Sequence, residues 1–222
     1  MTLPTLTPQP DAPDRDLDLK KAFAVPASAE QIDRTARALA AHGFTVEVLA
    51  DARAARAQMA RLLPEGAAVF TAASETLRLS GIEDDINQSG RYAAVKPRVR
   101  SLDRATQAAE ILRLTTTPDV VVGSVSAVTE GGTLLAVSAS GSQLPAYAGG
   151  AAKVIWLVGA QKIVPDLATA LRRIETYALP LEDARARATY GRPSATNKML
   201  IVNAEPLPGR ATVLLLREAI GF

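Results

Sequence analysis

Three short apolar runs, at residues 120–122, 134–137 and 154–158, lie in a stretch whose connecting segments are mostly Gly, Ser and Ala. Each run is too short to present a helical face and is bounded by turn residues, so all three predict buried strands. Between residues 123 and 164 Glu130 is the only acid, and Lys153 and Lys162 are the only bases. Loops this poor in bulky side chains let backbone N–H groups approach a small ligand, and Gly tolerates the backbone this requires.

The flanking segments alternate between helical and extended patterns. Ser28 and Gln31 have the spacing of a capping box, with Ile32, Ala36, Leu39 and Ala40 at helical intervals and Gly43 as a stop. Residues 44–49 then alternate as a strand, Asp51 caps a helix through Leu63, residues 67–71 form a strand, and Ser74 caps a helix over 75–80. Residues 82–101 lose periodicity and read as a partly helical, exposed excursion. Helical spacing returns over 102–114, in a small-residue segment at 144–152, and over 167–177 behind Pro165 and Asp166. Late strands at 199–202 and 213–216 bring the expected total to about seven, an α/β layering.

Composition removes several classes of function. With 222 residues, 48% of them hydrophobic, the chain can bury a substantial core. A net charge of +2, from 25 bases and 23 acids, offers no basic stripe for nucleic acid. Without cysteine there is no disulfide, thiol nucleophile or cluster held by the chain's own thiolates, and a single histidine, His42, argues against a His-based zinc site. Residues 1–18, with four prolines in the first 16, predict a flexible tail, leaving 19–222 as one α/β domain. No secretory signal and no apolar run of membrane-spanning length is present, so a cytoplasmic location is expected.

The segments VVVGSVSAVTEGGTLLAVSASGSQLPAYAGGAAKVIWLVGAQKIVPDL, LPLEDARARATYG and SATNKMLIVN, preceded by Ser74-Glu-Thr-Leu77 and Gly81, resemble the LUD-domain family of lactate-utilisation proteins. The resemblance implies a three-layer α/β/α sandwich around a mainly parallel sheet, similar to the NagB/RpiA/CoA-transferase group. It also implies an accessory or small-anion-binding role beside iron–sulfur oxidoreductase subunits, with any clusters on those partners. A stand-alone enzyme acting on a phosphorylated or CoA-linked small acid is the other enzyme-side reading, and a structural oligomer module is a third.

Candidate site residues follow from side-chain chemistry. Glu130 can serve as general base or nucleophile while the amides of Gly131 and Gly132 bind an oxyanion, or it can be a solvated glutamate in a tight hairpin turn. Gly123 and Ser124, and Ser140-Gly141-Ser142, can cradle a phosphate or carboxylate, or simply connect a strand to the next element. Ser74 and Thr76 mark a helix start that favours an anion or needs only a cap. Ser194, Asn197 and Lys198 lie in a polar loop, with Tyr190 and Arg192, that can close over an anionic substrate or supply turn chemistry. No metal site is expected. Glu182, Asp183, Arg185 and Arg187 read as an ion-paired helix face, His42 as a helix-end residue and Trp156 as core.

Overall fold

The computed structural model describes residues 21–222, so the expected tail at 1–18 lies outside the described residues. Helix α1 (Ala29–Ala41) begins at the predicted capping box: Gln31 N–H donates to Ser28 Oγ at 3.2 Å, and Ser28 N–H donates to Gln31 Oε1 at 3.0 Å. Strand β1 (Thr45–Leu49) and helix α2 (Ala52–Leu62), capped by Asp51, lead to β2 (Ala68–Thr71) and then α3 (Glu75–Ser80), capped by Ser74.

The next segment departs from the expected exposed excursion. Residues 82–101 form α4 (Ile82–Gln88), β3 (Ala93–Ala94) and α5 (Val95–Ser101), and Ile82, Ile86 and Val95 are buried. Ile82 and Ile86 share a face at i, i+4, while Glu83, Asp84 and Asp85 between them hide that periodicity in a charged run. Helix α6 (Ala108–Thr116) starts later than its spacing suggests, because Asp103 accepts from Ala105 N–H and the Thr106 hydroxyl, both at 2.9 Å, and forms a turn instead. Strands β4 (Val120–Gly123), β5 (Ala127–Thr129) and β6 (Leu134–Ser138) follow. In place of the small-residue helix, Ala146–Gly150 makes a single π-helical turn. The chain continues through β7 (Lys153–Gly159) and β8 (Ile163–Val164). Helices α7 (Leu167–Arg173) and α8 (Leu179–Tyr190), joined by a π turn, precede β9 (Lys198–Val202) and β10 (Ala211–Leu216).

Six strands form a parallel sheet in the order β1-β10-β7-β4-β2-β3. Its central strands are apolar on both faces, as a sheet covered on both sides requires. In β10, Val213 and Leu215 join the core under α1 and α5, and Leu214 and Leu216 join the core under α2, α3 and α4. Helices therefore flank both faces, the three-layer α/β/α arrangement that the resemblance implied. Trp156 is core as expected, 1% exposed, with its ring edge-on to Tyr147 at 5.4 Å and to Phe44 at 6.2 Å.

A second sheet, absent from the sequence reading, has the order β8-β5-β6-β9 and mixes parallel and antiparallel pairs. Its strands alternate faces: Val128, Leu134 and Ala136 pack into the core with Trp156, while Ala127 and Leu135 pack on Ala170 and Ile174 of the long C-terminal helical segment. Ten strands replace the expected seven because β3, β5 and β8 are only two or three residues long, below what alternation can reveal. No helix among the described residues is long and apolar enough to cross a membrane.

Candidate functional site

The strand order parts between β2 and β4. From β2 the chain runs outward to β3 at the sheet edge, then crosses back to place β4 on the other side of β2. The loops leaving the carboxyl ends of β2 and β4 therefore diverge, and a crevice at such a point is where open α/β sheets bind ligands. A cavity of about 650 Å³ occupies this position. Thr71 and Ser74 enter it from the end of β2, Ser124 and Ser126 from the end of β4, and Lys162 from the turn after β7.

Five of the predicted ligand residues, Ser74, Ser124, Ser140, Ser142 and Ser194, line this one cleft. A second group braces it from behind. Lys198 Nζ donates to the Ser140 carbonyl at 2.9 Å, Asn197 Nδ2 donates to the Ala139 carbonyl at 3.1 Å, and Gly141 leaves room for the Lys198 stem. Gly123 packs against the hydroxyl end of Tyr147, where a Cβ would lie 1.7 Å from the phenol oxygen. Thr76 is buried behind the cleft wall against Lys162.

Glu130, Gly131 and Gly132 are not brought to the cleft. Gln31 Nε2 donates to Glu130 Oε1 at 2.9 Å, and Arg34 donates to Oε2 from Nε at 3.1 Å and from Nη2 at 2.8 Å. These contacts, Gln31 first and then Arg34, hold the Glu130 carboxyl below the usual glutamate range. The other structural expectations agree with the geometry: Arg185 and Arg187 pair with Glu182 and Asp183 along α8, and His42 caps the end of α1.

Sequence reasoning passed over the residue at the floor of the cleft. Lys162 is 1% exposed, and its Nζ donates to Thr76 Oγ1 at 2.8 Å, to Ser124 Oγ at 3.0 Å and to the Val125 carbonyl at 3.0 Å. Burial pushes its pKa well below the usual lysine value, and the nearby Arg173 guanidinium pushes it the same way. Arg173 is itself brought down to about 10 by burial, against the opposing influence of Tyr177, whose ring lies 5.0 Å from the guanidinium carbon. It donates from Nε to the Gln161 carbonyl at 3.2 Å and from Nη1 to the Ser126 carbonyl. The available signal for Lys162 was a lone base inside the mostly apolar run GAQKIV, with Asp166 the nearest acid in sequence and committed to capping the next helix.

The rim is cationic. Arg100, Arg104 and Arg192 line the opening, are exposed, and have no ion-pair partner among the described residues. Arg185 and Lys96 also line it but are paired, with Glu182 and Glu83. The acids on the wall, Glu75 and Glu182, are each held by an arginine. No group of three or more His, Cys, Asp or Glu side chains placed to hold a metal ion occurs among the described residues.

A parallel sheet covered by helices on both faces, with a cation-rimmed cleft at its strand ends, defines a three-layer α/β/α domain. The family model for the LUD domain matches residues 32–216, and the chain belongs to the LUD-domain family. Among solved structures, a DUF162 family protein from Deinococcus radiodurans is similar in fold, with a TM-score of 0.53 at 14% identity, covering 86% of this chain and 99% of that one. Comparison with curated proteins gives no match.

Proposed function

We propose that the cleft binds a small organic anion of the lactate type, and that the chain is the ligand-binding component beside an iron–sulfur oxidoreductase partner. The observation that carries the anion reading is the rim: three arginines without carboxylate partners among the described residues, above a wall of serine hydroxyls. Arginine forks and hydroxyls at a strand-end crevice match a carboxylate or phosphate in both charge and geometry. The partner reading rests on the lactate-utilisation resemblance, and the absence of cysteine from the sequence supports placing any clusters on another subunit.

Thermal-shift titration with lactate, pyruvate and inorganic phosphate tests the first part. A bound anion at a hundredfold excess over its Kd stabilises the native state by about 2.7 kcal/mol. Replacing Arg100 and Arg104 by alanine together removes charge-assisted bonds and is expected to weaken binding roughly tenfold or more. The absence of a saturable shift with every anion removes the reading. Co-purification under native expression, followed by visible absorbance, tests the partner, and a colourless, partner-free protein counts against it.

A second reading, an enzyme acting on a phosphorylated or CoA-linked small acid, is favoured by size. The cleft of about 650 Å³ has room for a ligand much larger than lactate, and pockets of about 300–1,000 Å³ ordinarily hold drug-sized molecules. With Glu130 held by α1, chemistry in this reading falls to groups that line the cleft.

A further inference from the structure

We propose that Ser124 and Lys162, positioned by Thr76, form a nucleophile–base pair that accepts an acyl group from an ester or thioester of a small organic acid. The inference rests on the cleft being the ligand site, and it adds a covalent step that anion binding alone does not require. Lys162 Nζ lies 3.0 Å from Ser124 Oγ and 2.8 Å from Thr76 Oγ1. A nucleophile within hydrogen-bond reach of a base, with that base oriented by a third group, is the arrangement that activates a serine. Ser124 follows directly on the carboxyl end of β4, and both Ser124 and Lys162 line the cleft.

Hydrogen-bond accounting supports the roles. The Thr76 hydroxyl donates to the Ile220 carbonyl at 3.3 Å, so toward Lys162 it can only accept, and the Val125 carbonyl has no hydrogen to give. At rest Nζ also donates to Ser124 Oγ. A neutral amine keeps two hydrogens for Thr76 and Val125, and its lone pair can take the Ser124 proton once that hydroxyl turns from the Leu157 carbonyl to Nζ. The Ser124 hydroxyl donates to the Leu157 carbonyl at 2.6 Å, and a rotation about its Cβ–Oγ bond brings the same hydrogen to Lys162 Nζ at 3.0 Å. Burial and Arg173 both favour the uncharged amine, and no carboxylate pairs with it among the described residues.

In the step itself, Lys162 takes the proton of Ser124 as Oγ forms a bond to the acyl carbon. The bond from that carbon to the leaving oxygen or sulfur breaks, and the departing alcohol or thiol takes the proton from Lys162. Water then adds to the acyl-serine with Lys162 again as base, releasing the carboxylic acid and restoring the serine hydroxyl. The rim arginines would hold the anionic end of the substrate during both halves.

An alkyl fluorophosphonate tests the pair, since attack by the serine forms an O–P bond, expels fluoride and leaves a stable adduct that peptide mass analysis locates. The expected result is one adduct, on Ser124, in the wild-type chain. Lys162→Met is expected to slow labelling by at least about 100-fold. Lys162→Arg should do the same, because arginine keeps the donors but cannot act as a base. An unlabelled wild type, or an adduct on another serine, overturns the proposal without recourse to variants. Ser124→Cys places a single thiol in a cysteine-free chain, and failure of iodoacetamide to alkylate it also overturns the proposal, because position 124 would not be reachable. Anion-induced thermal shifts without labelling would leave the binding site standing and remove the acyl chemistry, whereas labelling without such shifts would support the pair and remove the anion reading.

Discussion

Two turns separated by only a few residues, Ser124–Ser126 and Glu130–Gly132, share a small, polar composition and meet opposite surroundings. At the second, α1 closes over the turn: Glu130 is held by Gln31 and Arg34, His42 Nδ1 lies 3.3 Å from the Gly132 carbonyl, and Gly132 abuts the backbone of Ala38 and Leu39. At the first, the polar atoms of Ser124 and Ser126 face a cleft of about 650 Å³. Small residues mark both places as sites of close approach. What approaches is decided by elements remote in sequence: a helix in one case, open space with a lysine beneath it in the other.

The largest expected effect tests how tightly α1 closes on the Glu130 turn. Gly132 has φ +85°, and a Cβ there would sit 2.8 Å from the Ala38 carbonyl carbon and 2.9 Å from Leu39 N. Gly132→Ala combines a left-handed backbone with a clash against backbone atoms, and should destabilise the fold by roughly 3 kcal/mol in urea titrations. Its neighbour Gly131 is exposed, with the nearest atom to an added Cβ at 3.7 Å, so Gly131→Ala should stay within about 0.5 kcal/mol. Equal costs at the two positions would break the comparison.

At the other turn the obstacle is a side chain. An alanine Cβ at 123 would lie 1.7 Å from the Tyr147 phenol oxygen and 2.8 Å from Cζ, and Tyr147 is buried edge-on to Trp156. Gly123→Ala should cost about 2 kcal/mol, with a changed near-ultraviolet circular dichroism from the displaced tyrosine. The displacement also moves Tyr147 where it lines the cleft beside Ser124, so the cleft should lose ligand response along with stability. Wild-type ligand response in this variant would show that the packing under Ser124 does not shape the cleft.

The different surroundings of these turns also explain what was legible in advance. The buried strands were readable because β4, β7 and β10 are continuous apolar runs, and the helix starts because Ser28, Asp51, Ser74 and Asp166 act within three residues of themselves, while the parallel sheet came from the family resemblance. The serines of the cleft were readable as a class, since loop composition alone suggests exposed backbone and hydroxyls. The small sheet was not, because β5 and β8 are too short to show alternation and pair through residues 35 positions apart, as with Val128 and Ile163. Lys162 was missed for a related reason. Its partners Thr76, in the first turn of α3, and Ser124, just after β4, are 86 and 38 residues away, and the apolar run around Lys162 does not by itself separate a buried lysine from a solvated one.

The smallest expected effect concerns Glu130, whose composition-based promise and actual surroundings differ most. Its folded pKa is depressed below the ordinary value of 4.5, first by Gln31 and then by Arg34, so the ionised form is favoured by folding. That contribution is complete above pH 4.5 and is lost as the pH falls through the depressed folded value. Glu130→Gln should therefore be slightly less stable than wild type near neutrality, with the difference disappearing in acid. Because the Arg34 side chain is 50% exposed, the gap should be under about 1 kcal/mol and should shrink further in high salt. Urea midpoints at neutral and acid pH measure it. Fluorophosphonate labelling of Ser124 and anion-induced thermal shifts should be unchanged in this variant, since Glu130 belongs to the contact between α1 and the small sheet and does not line the cleft. A loss of either response, with stability intact, would join the two turns into one site and overturn the division between them.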